Sequence, residues 1–456
     1  MPQAQRHKPD TAQAASLTEG LIAILRRPVT AADCGRASLH VLDWVGCAVL
    51  GAAAPPGVVM QDYGARQPAG PCAAIAVGEV RAETAAFVNG SYGNVLEMDD
   101  IHRTSILHPG PVVIPAALAC AQAEGVAAHE FLEAMVRGYD AVIRIGASVG
   151  LGHYKQFHNT ATCGPFGAAA AAGLVLGLDD GRLADALGNA GTTAGGLWQV
   201  RHEDAMSKQL HTARAAQSGL VAAMLAAKGF TGPRFILEGP QGFYAGLCPD
   251  PNPEIVLAEP AAPWKMYDTS FKPWAACRHA HPVIDAGLVL RDQVEVGEIE
   301  SLSVRTYADA VAFCDRTHPG TVVESKFSHQ HAVAVVLLDG PPNLSSFEPE
   351  TFNRADIAHL RERVTVATAE PFDSAYPEHY GAEVEATLKD GRTVRAAVTD
   401  ALGDPANPVD EARVVAKARE LMSAAGFVTE RIDGIVSACA RLATGGTLDG
   451  LTQHLS

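Results

Sequence analysis

Histidine, lysine and acidic side chains recur at four places in the sequence, each directly before a stretch rich in alanine and glycine. Histidine transfers protons near neutral pH and lysine holds carboxylates, so this combination indicates acid–base chemistry on an anionic substrate. Helix N-termini also attract anions, because they carry unpaired N–H groups and a partial positive charge. Four such segments meeting in space would form a cationic pocket for a compound with more than one carboxylate.

The four segments share one arrangement, in which a polar stretch runs into the start of a small-residue helix. They read NGSYGNVLEMDDIHRTSILHPG from residue 89, HNTATCGPFG from residue 158, SKQLHTARAAQSG from residue 207 and FKPWAACRHAHP from residue 271. Pro165 is well placed for the first turn of the second helix. The candidate site residues are Glu97, Asp100, Arg103, His108, His158, Lys208, His211, Lys272 and Cys277. Elimination and epimerisation both begin with loss of a proton next to a carboxylate, and cations stabilise the charge that develops there.

Each of these residues also has a purely structural interpretation. A single histidine before a helix is more often structural than catalytic, the acidic cluster could cap a turn, and Cys277 could be a small buried apolar residue. Two other classes of protein stay open: an inactive carboxylate-binding protein that has kept the fold, and a metal-dependent hydrolase using His279 and His281. No HExxH or comparable ligand spacing supports the metal site. The recurrence of the pattern, rather than any one motif, favours the enzyme.

The elements that must position these residues are mostly helices. Apolar residues recur at helical spacing from about residue 16 to residue 239. Their small side chains let helices pack closely and predict a layered bundle. From about residue 265 to residue 400, short stretches alternate apolar and polar residues, and Asp390-Gly391 is typical of a hairpin turn. This part predicts a smaller α+β domain, after which the tail from Pro408 returns to helix.

Composition narrows the function classes. A formal net charge of −16 argues against nucleic acid and anionic membranes as partners. Nine scattered cysteines without a CxxC pair predict reduced thiols in a cytoplasmic protein and no zinc site. The polar N-terminus lacks the apolar core of a signal peptide, and no apolar run makes a convincing membrane span. The expected partner is a small anionic carboxylic acid, and neither a metal nor a cofactor is predicted.

The order and spacing of the four segments resemble the MmgE/PrpD family over about residues 15–445. Members of that family include 2-methylcitrate dehydratase, cis-aconitate decarboxylase and iminodisuccinate epimerase. The resemblance implies a mainly α protein and a homodimer. It implies a large all-helical domain from residues 1–264 and 402–456, a smaller α+β lid domain from residues 265–401, and a cofactor-independent site between them.

The resemblance also assigns roles. His108 and His158 would be the proton-carrying pair, with Glu97 and Asp100 orienting them. Lys208 and Lys272 would hold carboxylates, and the other substrate-binding candidates are Cys277, His211 and Arg103. Dehydration of a 2-hydroxy polycarboxylate is the first expectation, because it needs only an acid and a base. Decarboxylation or epimerisation of a related acid is the alternative.

Overall fold

The computed structural model describes residues 15–203 and 205–455, and it is mainly helical, as predicted. The helices before residue 250 are α1 (Leu17–Leu25), α2 (Ala31–Ala53), α3 (Pro55–Ala65), α4 (Ala82–Tyr92), α5 (Gly110–Glu124), α6 (Ala128–Ser148), α7 (Leu151–Tyr154), α8 (Asn159–Val175), α9 (Asp180–Gly191), α10 (Ser207–Ala227) and α11 (Phe243–Leu247). The later helices are α12 (His281–Arg291), α13 (Ala308–Cys314), α14 (Val322–Lys326), α15 (His329–Asp339), α16 (Pro349–Phe352), α17 (Ala355–Arg361), α18 (Phe372–Ala375), α19 (Glu411–Ala424), α20 (Thr429–Leu442) and α21 (Leu448–Thr452). The strands are β1 (Ala69–Ala74), β2 (Gly78–Val80), β3 (Ile101–His102), β4 (Thr269–Ser270), β5 (Ile299–Thr306), β6 (Val364–Thr368), β7 (Ala382–Leu388) and β8 (Thr393–Val398).

The first core is a stack of close-packed helices in which α8 lies against α5, α6 and α10. Small residues make this possible. A Cβ at Gly167 of α8 would come within 2.6 Å of the Val142 side chain on α6, and one at Gly219 of α10 would lie 2.4 Å from the Pro165 carbonyl. Larger residues at these contacts would force the helices apart.

The prediction of an all-helical first domain is wrong in detail. β1 and β2 form an antiparallel hairpin, held to α4 because the Asn89 side chain bonds the backbone of Ala73 and Ile75. The sequence AGPCAA of β1 has no alternation of apolar and polar residues, so no strand signal precedes the turn. A second antiparallel pair, β3 with β4, joins Ile101 to Ser270 and brings the first and fourth polar segments together.

A second core lies between residues 283 and 398, around a four-stranded sheet in the order β6-β5-β7-β8. β5 and β6 run parallel and the other pairs antiparallel, and α12 and α15 pack on the sheet. The hairpin between β7 and β8 is present as predicted, with Gly391 in the left-handed region at φ 84°.

The two cores are joined by a smaller apolar cluster. It contains Leu96 and Met98 of the loop after α4, Trp274 of the fourth polar segment, and Ala332 and Val336 of α15. After the sheet, α19 and α20 pack against α2 of the first core.

Within residues 15–203 and 205–455 no single helix is long and apolar enough to cross a membrane. Helices α2 and α3 reach that length and composition only as a pair bent by 87°.

Candidate active site

The loop that follows α4 carries an acidic side chain between two lysines. Glu97 has φ 60°, which is uncommon for a residue with a Cβ. Its carboxylate pairs with Lys208 of α10, and the Lys272 ammonium lies 3.6 Å from the other carboxylate oxygen. Burial would lower the pKa of Lys208, but Glu97 outweighs burial and raises it. Lys208 therefore stays a cation in the buried site.

His108 is held by an acid that the sequence analysis did not select. Its Nδ1 lies 2.9 Å from Asp99 Oδ2 and 2.9 Å from the Asp100 carbonyl, so Nδ1 carries the proton and Nε2 is left for proton transfer. Asn94 donates to both oxygens of Asp99, at 2.9 and 2.7 Å. Burial would raise the pKa of Asp99, but His108 and Lys272 outweigh burial and hold it below its usual value. Asp99 therefore orients this imidazole as an anion.

Asp100 has its own set of partners. Its carboxylate accepts hydrogen bonds from the Tyr139 hydroxyl at 2.8 Å and the Gly110 amide at 2.8 Å, and it lies 2.9 Å from His40 Nδ1. Within the described residues the Asp100 carboxylate is not hydrogen-bonded to His108 or His158, and the bond to His108 is made by the Asp100 carbonyl. The role of Asp100 in orienting the histidines stays a prediction. The Asp100 carboxylate fixes the N-terminal end of α5, on which His108 depends.

His158 and His211 form a second polar pair beside His108. Their Nδ1 atoms are 3.2 Å apart, and the rings of His158 and His108 have centroids 6.3 Å apart. Burial, reinforced by Lys208, lowers the pKa of His158 well below its ordinary value and that of His211 to about 4. Both rings are therefore neutral at pH 7, so either can accept a proton. The ring of Trp198 packs against His158 with centroids 4.5 Å apart.

Helix α8 begins earlier than predicted. It starts at Asn159 with His158 as the capping residue, and Pro165 lies inside the helix rather than in its first turn. The Thr160 hydroxyl, in the first turn, accepts a hydrogen bond from the His108 amide at 3.0 Å. The earlier start places His158 directly at the positive end of α8, where a substrate carboxylate is favoured.

Of the two remaining candidates, Cys277 lies in the site and Arg103 lies at its edge. Cys277 is buried and its amide donates to the Lys326 carbonyl at 3.0 Å. Burial opposes ionisation of Cys277, yet hydrogen bonds from Cys314 and the His279 backbone, together with the Lys208 cation, outweigh burial and lower the pKa of this thiol. Arg103 is paired with Asp400 at 2.7 Å and lines a separate cavity of about 470 Å³. Its guanidinium is paired with a carboxylate 297 positions away, and the substrate-binding role of Arg103 stays a prediction.

His279 and His281 are both hydrogen-bonded within the protein, His279 through one ring nitrogen and His281 through both. His279 Nδ1 lies 2.8 Å from the Tyr307 hydroxyl, and His281 Nε2 lies 3.1 Å from the Ala276 carbonyl. In the described parts of the chain, no three side chains of the types that bind metals converge on one point.

Sequence reasoning missed two further site residues besides Asp99. The Lys326 ammonium donates to the Leu96 carbonyl at 3.2 Å, and Phe327 places its ring 5.9 Å from the Lys208 ammonium. The signal was available, because SKFSHQH is also a polar stretch that runs into an apolar helix, α15.

Two family models match most of the chain. The MmgE/PrpD N-terminal domain matches residues 27–256, and the MmgE/PrpD C-terminal domain matches residues 274–442. The chain belongs to the MmgE/PrpD family. The resemblance carried by the four polar segments is thereby confirmed.

Three relatives within the family are similar over most of this chain. A cis-aconitate decarboxylase-like protein of Aspergillus oryzae is 27% identical in an alignment of 455 positions, gaps included, which covers 92% of this chain and 92% of the relative. Cis-aconitate decarboxylase of Aspergillus terreus is 26% identical, covering 87% of this chain and 85% of the relative. Cis-aconitate decarboxylase of Mus musculus is 28% identical, covering 68% of this chain and 65% of the relative. The chain is an enzyme of the MmgE/PrpD family.

Proposed function

We propose that the chain is a lyase that removes CO2 from a small unsaturated polycarboxylate of the cis-aconitate type. The observation that carries the proposal is the placement of His108 and His158 beside the Lys208 and Lys272 cations, at the N-terminus of α8. The names of the relatives favour this reaction over the dehydration expected first from the sequence.

The proposed step needs one bond to break and one to form. The bond between carbon and the leaving carboxylate breaks, CO2 departs, and the electron pair remains on carbon and is delocalised into the rest of the acid. A histidine then delivers a proton to that carbon. Lys208 and Lys272 stabilise the charge that develops before protonation, which is where electrostatic stabilisation has most effect. The apolar ring of Trp198 beside His158 favours loss of a charged carboxylate as neutral CO2.

Dehydration of a 2-hydroxy polycarboxylate is the second candidate. It requires one group to take a proton from carbon and another to protonate the departing hydroxide. The contact between His158 and His211, together with His108, supplies enough proton carriers for both steps. Epimerisation, the third member of the same class, needs no departing group.

The experiment that separates decarboxylation from dehydration records two products at once. Purified enzyme is offered cis-aconitate, citrate, 2-methylcitrate and iminodisuccinate, with CO2 release and the change in double-bond absorbance recorded together. We expect CO2 release from cis-aconitate. A new double bond from citrate or 2-methylcitrate without CO2 would favour the dehydratase. Thermal stabilisation by these acids without any turnover would favour the inactive binding protein.

The larger organisation is part of the proposal. We infer that residues 265–401 form a lid over a domain made of residues 1–264 and 402–456, of which residues 1–14, 204 and 456 lie outside the described structure.

We also propose a homodimer in the cytoplasm. Exposed apolar side chains concentrate around α10, which begins at the site. These are Leu197, Met206, Leu210, Met224, Leu225, Phe230 and Phe235. Light scattering should give twice the chain mass of 47.6 kDa, and a mass of one chain would contradict the dimer.

A further inference from the structure

The loop between α4 and β3 (residues 93–100) is called the acidic loop here. Three successive carbonyls of this loop each accept a hydrogen bond from a different buried lysine. Lys326 donates to Leu96 at 3.2 Å, Lys272 to Glu97 at 3.0 Å, and Lys417 to Met98 at 2.5 Å. The lysines come from distant parts of the chain: the end of α14, the segment after β4, and α19. Glu97, at the centre, has the left-handed backbone that a residue with a Cβ rarely adopts, so the surroundings must hold it there.

Lys417 and Lys326 differ in whether a carboxylate pairs with the ammonium group. Lys417 also pairs with the buried Asp43 at 2.7 Å, which makes it half of an internal ion pair. Lys326 is buried too, but in the part of the chain that the structure describes its ammonium pairs with no carboxylate, and the Leu96 carbonyl is its hydrogen-bond partner. Burial accordingly lowers the pKa of Lys326. Glu97 and Glu348 oppose this shift from a distance, but within the described residues neither forms an ion pair with Lys326. A buried cation without a direct ion pair adds little to the stability of the fold, so stability does not explain its presence.

The surroundings of Lys326 connect it to the site from three sides. Its carbonyl accepts the Cys277 amide at 3.0 Å, and Phe327, the next residue, lies under the Lys208 ammonium. Its own ammonium reaches the loop whose side chains are Glu97 and Asp99. Residues 326 and 327 thus contact three parts of the site: the Cys277 backbone, the Lys208 side chain and the backbone of the acidic loop.

We propose that Lys326 is a positioning residue, which ties residues 265–401 to the acidic loop and keeps Glu97 and Asp99 aimed at Lys208 and His108. The inference rests on the proposed function. It assigns Lys326 a role in turnover rather than in binding or stability, because the residue bonds the backbone beneath the reacting groups. A shift of about 1 Å in such groups costs on the order of 100-fold in rate.

The test compares Lys326→Met with Lys417→Met in the full-length enzyme. Methionine has similar volume and no charge. For Lys326→Met we expect kcat to fall about 10- to 100-fold, a KM that stays within about three-fold, and a melting temperature that is unchanged or higher. Lys417→Met leaves Asp43 buried without its cation, so its melting temperature should fall by several degrees.

Three results would overturn the assignment. An unchanged kcat in Lys326→Met would remove the positioning role, and a raised KM at normal kcat would make Lys326 a substrate ligand instead. A melting temperature that falls as far as in Lys417→Met would make the residue structural. Amide hydrogen exchange of the peptide containing residues 95–100 tests the same contact without substrate. It should be faster in Lys326→Met than in the wild type, even if the proposed reaction is wrong, and equal rates would contradict the proposal.

Discussion

The segments around His108 and around His281 look alike in sequence but differ in what surrounds them. Each places a histidine directly before a proline at the start of a helix, α5 or α12. Within residues 15–203 and 205–455 the His108 ring is bonded only through Nδ1, and it faces the His158 ring with 6.3 Å between centroids. His281 has partners on both ring nitrogens, Arg278 and the Ala276 carbonyl. A histidine with one nitrogen left over can carry a proton to a substrate, whereas a fully bonded one supports the fold.

The largest expected effect comes from removing each of these histidines in turn. His108→Ala should lower kcat about 10³-fold, because it deletes a proton carrier, while the melting temperature changes little. His281→Ala should instead lower stability by about 2–3 kcal/mol, because it leaves a buried cavity and an unpaired carbonyl. Turnover per folded molecule should stay within about three-fold in that variant. Steady-state kinetics at a temperature where both variants are folded, together with thermal melts, makes the comparison. A His281→Ala enzyme that is folded and inactive would erase the distinction.

The neighbouring acids Asp99 and Asp100 offer a second comparison between a catalytic and a structural role. Asp99→Asn keeps an oxygen for His108 but removes the negative charge that stabilises its protonated form, so kcat should fall about 10²-fold. Asp100→Asn replaces an acceptor of the Gly110 amide and the Tyr139 hydroxyl, so stability should fall by about 3 kcal/mol. Urea denaturation and kcat of both variants test this assignment. If Asp100→Asn proved the more severe catalytic variant at unchanged stability, the assignment would be reversed.

Sequence reasoning succeeded where a local period determines the structure. The small-residue helices α5, α6, α8 and α10 follow apolar repeats, and the β7–β8 hairpin follows its Asp-Gly turn. The choice between Asp99 and Asp100 depends on side-chain directions in an irregular loop, which no period fixes.

Contacts between distant parts of the chain were equally inaccessible from the sequence. Arg103 pairs with Asp400, and Lys326 bonds Leu96 across 230 positions. Residue types and spacing could identify the segments that meet at the site. They could not show which side chains there already have a hydrogen-bond or ion-pair partner.

The smallest effect expected concerns pH and follows from the buried histidines outside the site. Burial lowers the pKa of His40, His329 and His331 to about 4 and that of His281 well below its usual value. The unfolded chain binds these protons near pH 6.5, so between pH 6.5 and about 4 it holds more protons than the native state. Stability contributed by these groups is therefore fully present above pH 6.5 and is lost as the pH falls toward 4.

Replacing one of them tests whether it is neutral in the folded protein. His281→Asn should reduce the slope of unfolding free energy against pH by about one proton, or about 1.4 kcal/mol per pH unit, in this range. The wild-type protein is the reference, and denaturation curves of both proteins at half-unit intervals of pH give the two slopes. A slope in His281→Asn equal to that of the wild type would mean that burial does not keep this imidazole neutral in the folded protein.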